Sequence, residues 1–402
     1  MNSKITSSQR ALEIILDQTK KFDIEKVDFT NSLGRTLKED IVADRDFPPF
    51  DRVSMDGIAL VSNTFNKGRR AFKIEGVQAA GSKQLSLNNS ENCMEAMTGA
   101  VLPKNTDVVI QYELLDIKNG IVNVNTEDIK DFQNIHKKGL DRKEGDILIT
   151  KDTIISSAEI GVLATVGKSQ VTVAKQPKVM IISTGNELVE VDQMPKDYQI
   201  RRSNVYTLIS LLKRLNINAV SSHILDDKEN LKTKIKSYLK EYDVLLFSGA
   251  VSKGKFDFIP EVLDELGVDK LFHRVSQRPG KPFWFGKKQN KTIFAFPGNP
   301  VSTFVSCMKY FYPWFQKSTG VDFANNKFAV LAEDFTFKPD LTYFLQVKIE
   351  NRKGTVYATP VKGKGSGDLA NLIDADAFLE LTADRNEFKE GEVFPYFNYR
   401  SS

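Results

Sequence analysis

The sequence contains few residues that could build a disulfide framework or a zinc site. It has 2 cysteines and 3 histidines among 402 residues. Cys93 and Cys307 lie far apart and make no metal-type spacing, which favours a reducing compartment. His136, His223 and His273 form no ligand motif, and we interpret each as a surface or packing residue.

The sequence also lacks a long apolar run and a strong charge bias. No stretch reaches the roughly 18 apolar residues of a membrane-spanning helix, and the polar N-terminus has no signal-peptide core. Lys and Arg number 56 against 52 Asp and Glu, a net charge of only +4. Without a basic run or an RNA-binding aromatic motif, nucleic-acid binding is not indicated. These absences predict a cytoplasmic protein that acts on neither membranes nor nucleic acids.

A chain of 402 residues is too long for one typical core, so its length predicts two to four domains. Thr6 to Gln9 fit a capping box that opens a helix over 7–21. Short alternating strands over 45–135 predict a β-rich insert. From 178 to 320, strands alternate with helices, which predicts a largely parallel sheet covered on both faces. Residues 327–402 return to short strands, consistent with a small barrel or sandwich.

Within the alternating region, hydrophobic strands repeatedly end in short glycine-containing loops. They occupy 179–187, 244–257, 278–282 and 292–300. An open α/β sheet binds ligands at the carboxyl ends of its strands. Glycine lets backbone N–H groups approach an anion, and a helix that starts there adds positive partial charge. We therefore expect a site for a phosphorylated, anionic small molecule.

Carboxylates follow several of these strand ends. Glu187, Asp226 and Asp257 would share one rim of the sheet with no histidine among them, which favours a hard, oxygen-ligated cation such as Mg²⁺. The simpler interpretation is that Asp257 caps the next helix and that Glu187 is solvated. Asp227 is likewise a candidate helix cap.

Two further features of the rim favour anion binding. Arg278 and Lys281 lie on a short proline-stiffened turn, and together they suggest an anion clamp. Asn299 as N-cap and Pro300 at the first helical position predict a well-formed helix start, which is itself an anion site.

The loop Gly249 to Lys255 is one residue short of a nucleotide-binding P-loop. Phe256 follows it where a P-loop has the Ser or Thr that holds Mg²⁺. An NTPase is therefore the least favoured hypothesis, although backbone amides of the loop remain available to an anion.

These segments, in this order, resemble the molybdopterin molybdenumtransferase family, the bacterial relatives of the gephyrin E domain. The resemblance covers nearly the whole chain and rests on eight motifs, each weak alone and specific together. They are Phe50-Asp-Arg-Val-Ser-Met-Asp-Gly57, Thr98-Gly-Ala-Val-Leu-Pro-Lys-Asn-Thr-Asp107, Gly139-Leu-Asp141 with Glu144-Gly-Asp146, Ser183-Thr-Gly-Asn-Glu-Leu188, Ser248-Gly-Ala-Val-Ser-Lys-Gly-Lys-Phe-Asp257, Arg278-Pro-Gly-Lys-Pro-Phe283, Phe296-Pro-Gly-Asn-Pro-Val-Ser302 and Gly365-Ser-Gly-Asp-Leu369.

The resemblance implies a multidomain α/β protein that forms an elongated homodimer. Residues 1–45 with 140–175 would form a mixed N-terminal domain and 46–139 a β-rich insert. Residues 176–322 would be a three-layer α/β molybdopterin-binding domain, and 323–402 a C-terminal β-barrel. The implied reaction joins molybdate to the dithiolene of adenylylated molybdopterin and releases AMP, with Mg²⁺ required. The molybdopterin adenylyltransferase is an implied partner.

The resemblance also implies roles for individual residues. Asp56, Thr98 and Asp141 would face the site from one protomer, and Glu187, Asp226, Asp257 and Lys281 would line it in the other. Catalysis would fall to Asp56, Thr98, Asp141, Asp257 and Lys281, and metal binding to Glu187, Asp226 and Asp257. The substrate pterin would be held by Ser183, Thr184, Gly185, Ser248, Gly249, Ser252, Gly254, Arg278, Pro297, Gly298 and Pro300.

The chain departs from the family pattern at four positions. Ala250 replaces the second glycine of the usual Ser-Gly-Gly loop, and Lys255 replaces an acidic residue. Leu140 stands in place of a glutamate, and His136 stands where an arginine is frequent. Because several of these changes alter charge at the implied site, a catalytically weak binding or scaffold protein on the same fold is the alternative hypothesis.

Overall fold

The structure, a computed structural model, describes residues 5–249, 251, 257–321, 327–363 and 365–400. The chain divides into two compact units. Unit 1 comprises residues 1–38, 152–157 and 170–402, and unit 2 comprises residues 39–151 and 158–169. The predicted division into four domains is finer than these two units and stays a prediction.

Helices in the described residues are mostly short. They are α1 (Ser8–Asp17), α2 (Ser62–Asn66), α3 (Ser157–Thr165), α4 (Ser203–Lys213), α5 (Lys228–Glu241), α6 (Ile259–Glu265), α7 (Pro300–Ser306), α8 (Tyr312–Thr319) and α9 (Asn371–Asp374). A π-helical segment, Cys307–Phe311, joins α7 to α8, and 3₁₀ turns occur at Phe29–Asn31 and Tyr112–Leu114. None of the described helices is long and apolar enough to cross a membrane.

The strands alternate with these helices along the chain. They are β1 (Thr6–Ser7), β2 (Ile24–Asp28), β3 (Ile41–Val42), β4 (Arg52–Val53), β5 (Gly57–Leu60), β6 (Ala71–Gln78), β7 (Cys93–Ala96), β8 (Val108–Gln111), β9 (Leu115–Lys118), β10 (Ile121–Val124), β11 (Ile135–His136), β12 (Ile147–Ile149), β13 (Gln170–Ala174), β14 (Val179–Thr184), β15 (Leu188–Val189), β16 (Ile200–Arg201), β17 (Val220–Ile224), β18 (Val244–Ser248), β19 (Asp269–His273), β20 (Val275–Arg278), β21 (Trp284–Lys288), β22 (Lys291–Phe296), β23 (Lys327–Leu331), β24 (Phe335–Thr336), β25 (Thr342–Arg352), β26 (Thr355–Pro360), β27 (Ala377–Leu381), β28 (Glu387–Phe388) and β29 (Val393–Asn398).

Helix α1 corrects the capping-box prediction. Its N-cap is Ser7, whose hydroxyl accepts the amide of Arg10 at 3.2 Å. Thr6 instead belongs to β1, which pairs in parallel with β20. The helix ends at Asp17 rather than at 21, because the apolar spacing that predicts it stops at Leu16.

The central sheet of unit 1 has the strand order β17-β14-β18-β22-β21-β19. The first four strands are parallel, and β21 and β19 are antiparallel additions. Successive side chains of β14 pack into different hydrophobic cores, one on each face of the sheet. Ile181 packs with Val205 of α4, whereas Ile182 packs with Leu231 of α5. The sheet is therefore the middle of three layers, as predicted.

The C-terminal strands of unit 1 close into a barrel. Strand β25 pairs with β26, the ring continues through β23, β29 and β27, and β27 returns to β25. Buried side chains such as Leu331, Val347 and Leu379 fill its core. The choice between a barrel and a sandwich is thereby resolved, because a sandwich would leave β25 and β27 unpaired.

Unit 2 contains the predicted β-rich insert. Six of its described strands form a sheet with the order β8-β5-β7-β6-β10-β9, and β11-β4 and β12-β3 form two separate pairs. Ile58, Phe72, Val108 and Val122 pack in its core with no side-chain exposure. Gly57 is required by close packing, because a Cβ atom there would lie 1.9 Å from the carbonyl oxygen of Ile110.

Candidate functional site

A cavity of about 690 Å³ opens in unit 1 where the parallel strands end. Its lining includes Thr184 at the end of β14, Asp226 just after β17, Ser248 at the end of β18 and Pro297 just after β22. Parallel strands place their carboxyl ends on one edge of the sheet. The separate glycine loops of the sequence consequently meet in one place.

The cavity brings together most of the residues that the sequence assigns to unit 1. Its lining includes Ser183, Thr184, Gly185, Glu187, Asp226, Ser248, Gly249, Asp257, Arg278, Lys281, Pro297, Gly298 and Pro300. Ser252 and Gly254 lie outside the described residues, as do Ala250, Lys255 and Phe256.

Two of the glycine loops lie within van der Waals contact of each other. A Cβ atom on Gly298 would lie 3.6 Å from the Cα atom of Gly249, which itself has φ +97°. At Gly185, with φ +132°, a Cβ atom would lie 2.5 Å from Oε2 of Glu187. Glycine at position 185 therefore makes room for the Glu187 carboxylate, and glycine at 249 adopts a backbone conformation that other residues rarely take.

The three carboxylates of the cavity influence one another. Burial raises the pKa of Asp226, and the negative charges of Glu187 and Asp257 raise it further. Among the described residues, no three His, Cys, Asp or Glu side chains are close enough to form a metal site by themselves. Mg²⁺ commonly binds one or two carboxylates together with waters and substrate phosphates, and this cavity offers that kind of donor set.

The helix starts at the rim agree with two of three predictions. Asp227 is the N-cap of α5, and its Oδ1 accepts the amide of Asn230 at 2.7 Å. Asn299 is the N-cap of α7, with Pro300 in the first turn. The capping prediction for Asp257 is wrong, because α6 begins at Ile259 and its N-cap is Phe258. A capping role therefore does not account for Asp257 in the cavity wall.

A buried hydrogen-bond relay holds the turn that carries Arg278 and Lys281. Tyr310 donates to Oε1 of Gln277, and Gln277 Nε2 donates to the carbonyl oxygen of Pro279 at 3.1 Å. The Tyr310 hydroxyl also lies 3.0 Å from the Ser8 hydroxyl. Both cations are exposed, and neither forms an ion pair within the described ranges. Buried hydrogen bonds thus fix the backbone of the turn, while its two cationic side chains are exposed.

The structure adds Arg202 to the cavity wall, and it places His223, interpreted from the sequence as a surface or packing residue, beside Ser183. His223 Nδ1 lies 3.1 Å from the hydroxyl of Ser183, because β17 and β14 pair these two positions. Burial lowers the pKa of His223, and the charge of Arg202 lowers it further. Arg202 itself lines the cavity. A single sequence does not reveal the strand pairing that places Ser183 beside His223. It does show Arg202 directly before a segment with the apolar spacing of a helix, which could have indicated a residue at a helix start.

In unit 2, two predicted acidic residues are fixed by local hydrogen bonds. Oδ1 of Asp56 accepts the amide of Thr98 at 2.6 Å, and this bond holds the pKa of Asp56 below its usual value. Asp141 Oδ1 lies 2.8 Å from Nε2 of His136. His136 therefore contacts the predicted site residue directly, whereas Leu140 is 65% exposed.

Comparisons with protein families cover most of the chain. Residues 6–167 match the MoeA N-terminal region (domain I and II), residues 180–317 match a probable molybdopterin binding domain, and residues 329–398 match the MoeA C-terminal region (domain IV). The boundaries of these matches fall close to the ends of the α/β region and the barrel.

Individual relatives match along their whole length. A molybdopterin molybdenumtransferase from Synechocystis sp. is 41% identical over 96% of this chain and 98% of its own. One from Staphylococcus epidermidis is 30% identical over 96% of this chain and 94% of its own. A crystal structure of the molybdopterin biosynthesis MoeA protein from Pyrococcus horikoshii superposes with a TM-score of 0.84 at 27% identity, covering 98% of this chain and 100% of that one.

Proposed function

Because the chain belongs to the MoeA family of molybdopterin molybdenumtransferases, we propose that it joins molybdate to the dithiolene of adenylylated molybdopterin and releases AMP. The chain is an enzyme of molybdenum cofactor biosynthesis. One observation carries the specific reaction: glycine loops, two exposed cations and three carboxylates share a single cavity in unit 1. A phosphorylated pterin and an oxyanion both require such a lining.

The cationic turn and the glycine loops would bind the anions. Arg278 and Lys281 present donors from a rigid turn to the pyrophosphate or to molybdate. Backbone amides near Gly249 and Gly298, with the N-terminus of the helix that begins at Pro300, would complete this half of the site. These residues would orient the pyrophosphate for cleavage, in which an oxygen of water or molybdate bonds to one phosphorus while the bridging P–O bond breaks and AMP leaves.

Mg²⁺ is a proposed cofactor held by Glu187, Asp226 or Asp257 together with substrate phosphate oxygens. The fit rests on Asp226, because burial and then the neighbouring carboxylates Glu187 and Asp257 disfavour its charged form, and a cation would offset both effects. When bound, Mg²⁺ would neutralise phosphate charge. We expect chelation with EDTA to stop AMP release and added Mg²⁺ to restore it.

Asp56, Thr98 and Asp141 form the proposed second part of the site, contributed by a partner protomer in a homodimer. This proposal is supported by the fixed positions of two of these side chains. A hydrogen bond to Thr98 holds Asp56, and a hydrogen bond to His136 holds Asp141. We further propose a cytoplasmic location, the four-domain division given above, and the molybdopterin adenylyltransferase as a partner.

The test is AMP release from adenylylated molybdopterin with molybdate and Mg²⁺. We expect Asp257→Asn to slow AMP release by roughly 100-fold, the scale of a lost electrostatic contact in an active site, with little change in melting temperature. The matched control is Asp227→Asn, because Asn caps a helix as well as Asp does and should leave the rate unchanged. No AMP from the unmodified protein would overturn the proposed reaction.

The alternative, a catalytically weak scaffold on the same fold, is motivated by Lys255 and Leu140. Full-length relatives named as transferases weigh against it. Normal maturation of molybdenum enzymes in a deletion strain would favour the scaffold.

A further inference from the structure

Arg202 is a buried cation in the wall of the cavity. It precedes helix α4, and its side chain is only 7% exposed. Ser203, Asn204 and Val205, the first residues of that helix, line the same cavity. Neither the sequence motifs nor the proposed reaction assigns a role to this part of the wall.

The guanidinium of Arg202 has donor capacity to spare. Nη1 pairs with Oε1 of Glu190, whose other oxygen lies 3.4 Å from the hydroxyl of Tyr206. Nε is buried and has no hydrogen-bond partner in the part of the chain that the structure describes. A buried, incompletely bonded charge is costly to a folded protein. A charged side chain that is buried at such a cost in a cavity wall is typical of a binding site.

The start of α4 adds to this positive potential. Arg202 is the N-cap, and it makes no side-chain cap hydrogen bond, since a guanidinium has no acceptor. The amides of the first helical turn are therefore not capped by a side chain and carry the positive end of the helix dipole. Asn204 Nδ2 donates to the carbonyl oxygen of Gly298 at 2.7 Å, which ties this helix start to the Pro297–Pro300 loop.

We propose that Arg202 and the first turn of α4 form an oxyanion subsite of the cavity, built on different elements from the Arg278–Lys281 turn. Its ligand is a tetrahedral oxyanion, either a phosphoryl group of the substrate or free molybdate. A planar guanidinium whose Nε donor lacks a partner, beside helix amides that no N-cap side chain bonds, suits such an oxyanion in charge. Glu190 balances the charge of Arg202 while the subsite is empty. The inference rests on the proposed function only in taking the cavity as the substrate site.

The experiment measures binding of AMP, inorganic phosphate and molybdate separately, by isothermal titration calorimetry on the full chain. We expect Arg202→Gln to weaken binding of the matching anion by roughly 10- to 100-fold, the effect of one hydrogen bond to a charged group. Arg202→Lys should retain part of the affinity for the anion, because lysine keeps the positive charge but lacks the planar guanidinium that can donate two parallel hydrogen bonds. The matched control is Lys213→Gln, which removes one exposed cation from the far end of the same helix and should change nothing.

Glu190→Gln separates ligand binding from a purely structural role. If Arg202 served only its ion pair with Glu190, both Glu190→Gln and Arg202→Gln would reduce stability and affinity alike. If Arg202 instead binds the anion, Glu190→Gln removes the negative charge that competes for its guanidinium. The affinity for the anion should then stay the same or rise. A loss of affinity in Arg202→Gln without a loss in Glu190→Gln supports the subsite, and matching losses overturn it.

The anions distinguish the sources of the ligand. Loss of AMP and phosphate binding alone assigns the subsite to a phosphoryl group, and loss of molybdate binding alone assigns it to molybdate. Unchanged affinity for all three in folded Arg202→Gln or Arg202→Lys overturns the proposal. If the unmodified protein binds an anion through Arg202 yet releases no AMP, the proposed reaction fails while the subsite stands.

Discussion

The carboxylates of unit 1 and unit 2 are held in opposite ways. Burial and the charges of Glu187 and Asp257 raise the pKa of Asp226 in the cavity of unit 1. In unit 2, the amide of Thr98 lowers the pKa of Asp56. The first arrangement disfavours negative charge, whereas the second favours it. The two units thus hold these acids in opposite electrostatic environments.

The backbones of the two units differ in a related way. In unit 1, Gly185, Gly249 and Gly298 line a cavity, and the first two have positive φ. In unit 2, Gly57 lets two strands pack with no space between them. Glycine therefore forms part of a cavity wall in one unit and allows close strand packing in the other.

The largest expected effect comes from closing the space at Gly57. Gly57→Ala places a Cβ atom 1.9 Å from the carbonyl oxygen of Ile110. We expect a loss of about 3 kcal/mol of stability, the upper range for overpacking, measured by chemical denaturation. Gly76→Ala is the control, because its Cβ would lie 3.4 Å from the flexible end of Met94. Phosphate affinity should persist in both variants, and its loss in Gly57→Ala would contradict a phosphate site formed by the unit 1 cavity alone.

A smaller effect should follow from cutting the relay behind the cationic turn. Tyr310→Phe leaves Oε1 of buried Gln277 without its donor, which costs about 1–3 kcal/mol. Tyr312→Phe is the matched control, since it loses a bond to the carbonyl oxygen of Leu211 at 2.7 Å and does not touch the turn. Both variants should lose stability, but only Tyr310→Phe should also bind phosphate more weakly. Equal affinities would show that the relay does not position Arg278 and Lys281.

Neutralising one acid in each unit tests the central contrast directly. At pH 7, Asp226→Asn should keep or raise the melting temperature while Mg²⁺ affinity falls, and Asp56→Asn should lower the melting temperature. The stabilisation from Asp56 is present above its usual pKa of 3.8 and is lost as the pH falls through its lower folded value. The penalty from Asp226 instead develops as the pH rises above 3.8. The two melting temperatures should therefore converge in acid, and a common direction of change at pH 7 would break the comparison.

The smallest effect is expected at an exposed ion-pair network between α5 and α6. Lys228 and Lys232 lower the pKa of Glu265 to about 2. Glu265→Gln should lower the melting temperature slightly at pH 7, because exposed ion pairs contribute little. Since the folded pKa is depressed, the difference should shrink as the pH falls from 4.5 toward 2. Asp264→Asn, on the same helix and outside this network, should show no such pH dependence.

Much of the fold was predictable because its signals are local. The alternation of strands and helices between 178 and 320 predicted the three-layer sheet, and Asn299-Pro300 predicted the start of α7. The capping error at Asp257 has a local cause as well, because α6 begins at Ile259 and its N-cap is Phe258, one residue later than predicted. The barrel was left open beside a sandwich, since closure depends on the pairing of β25 with β27, which are distant in sequence.

The candidate site divides in the same way. By itself, the sequence determined which loops carry glycine, acid and cation, because these properties belong to residue types and their order. Only the tertiary structure decided that Ser183 meets His223, that Asp226 lies near two other carboxylates, and that Arg202 is buried in the cavity wall. The register between distant strands is set only when the sheet forms, and the burial of a charged side chain also depends on elements that pack around it. No single segment of the chain encodes either property.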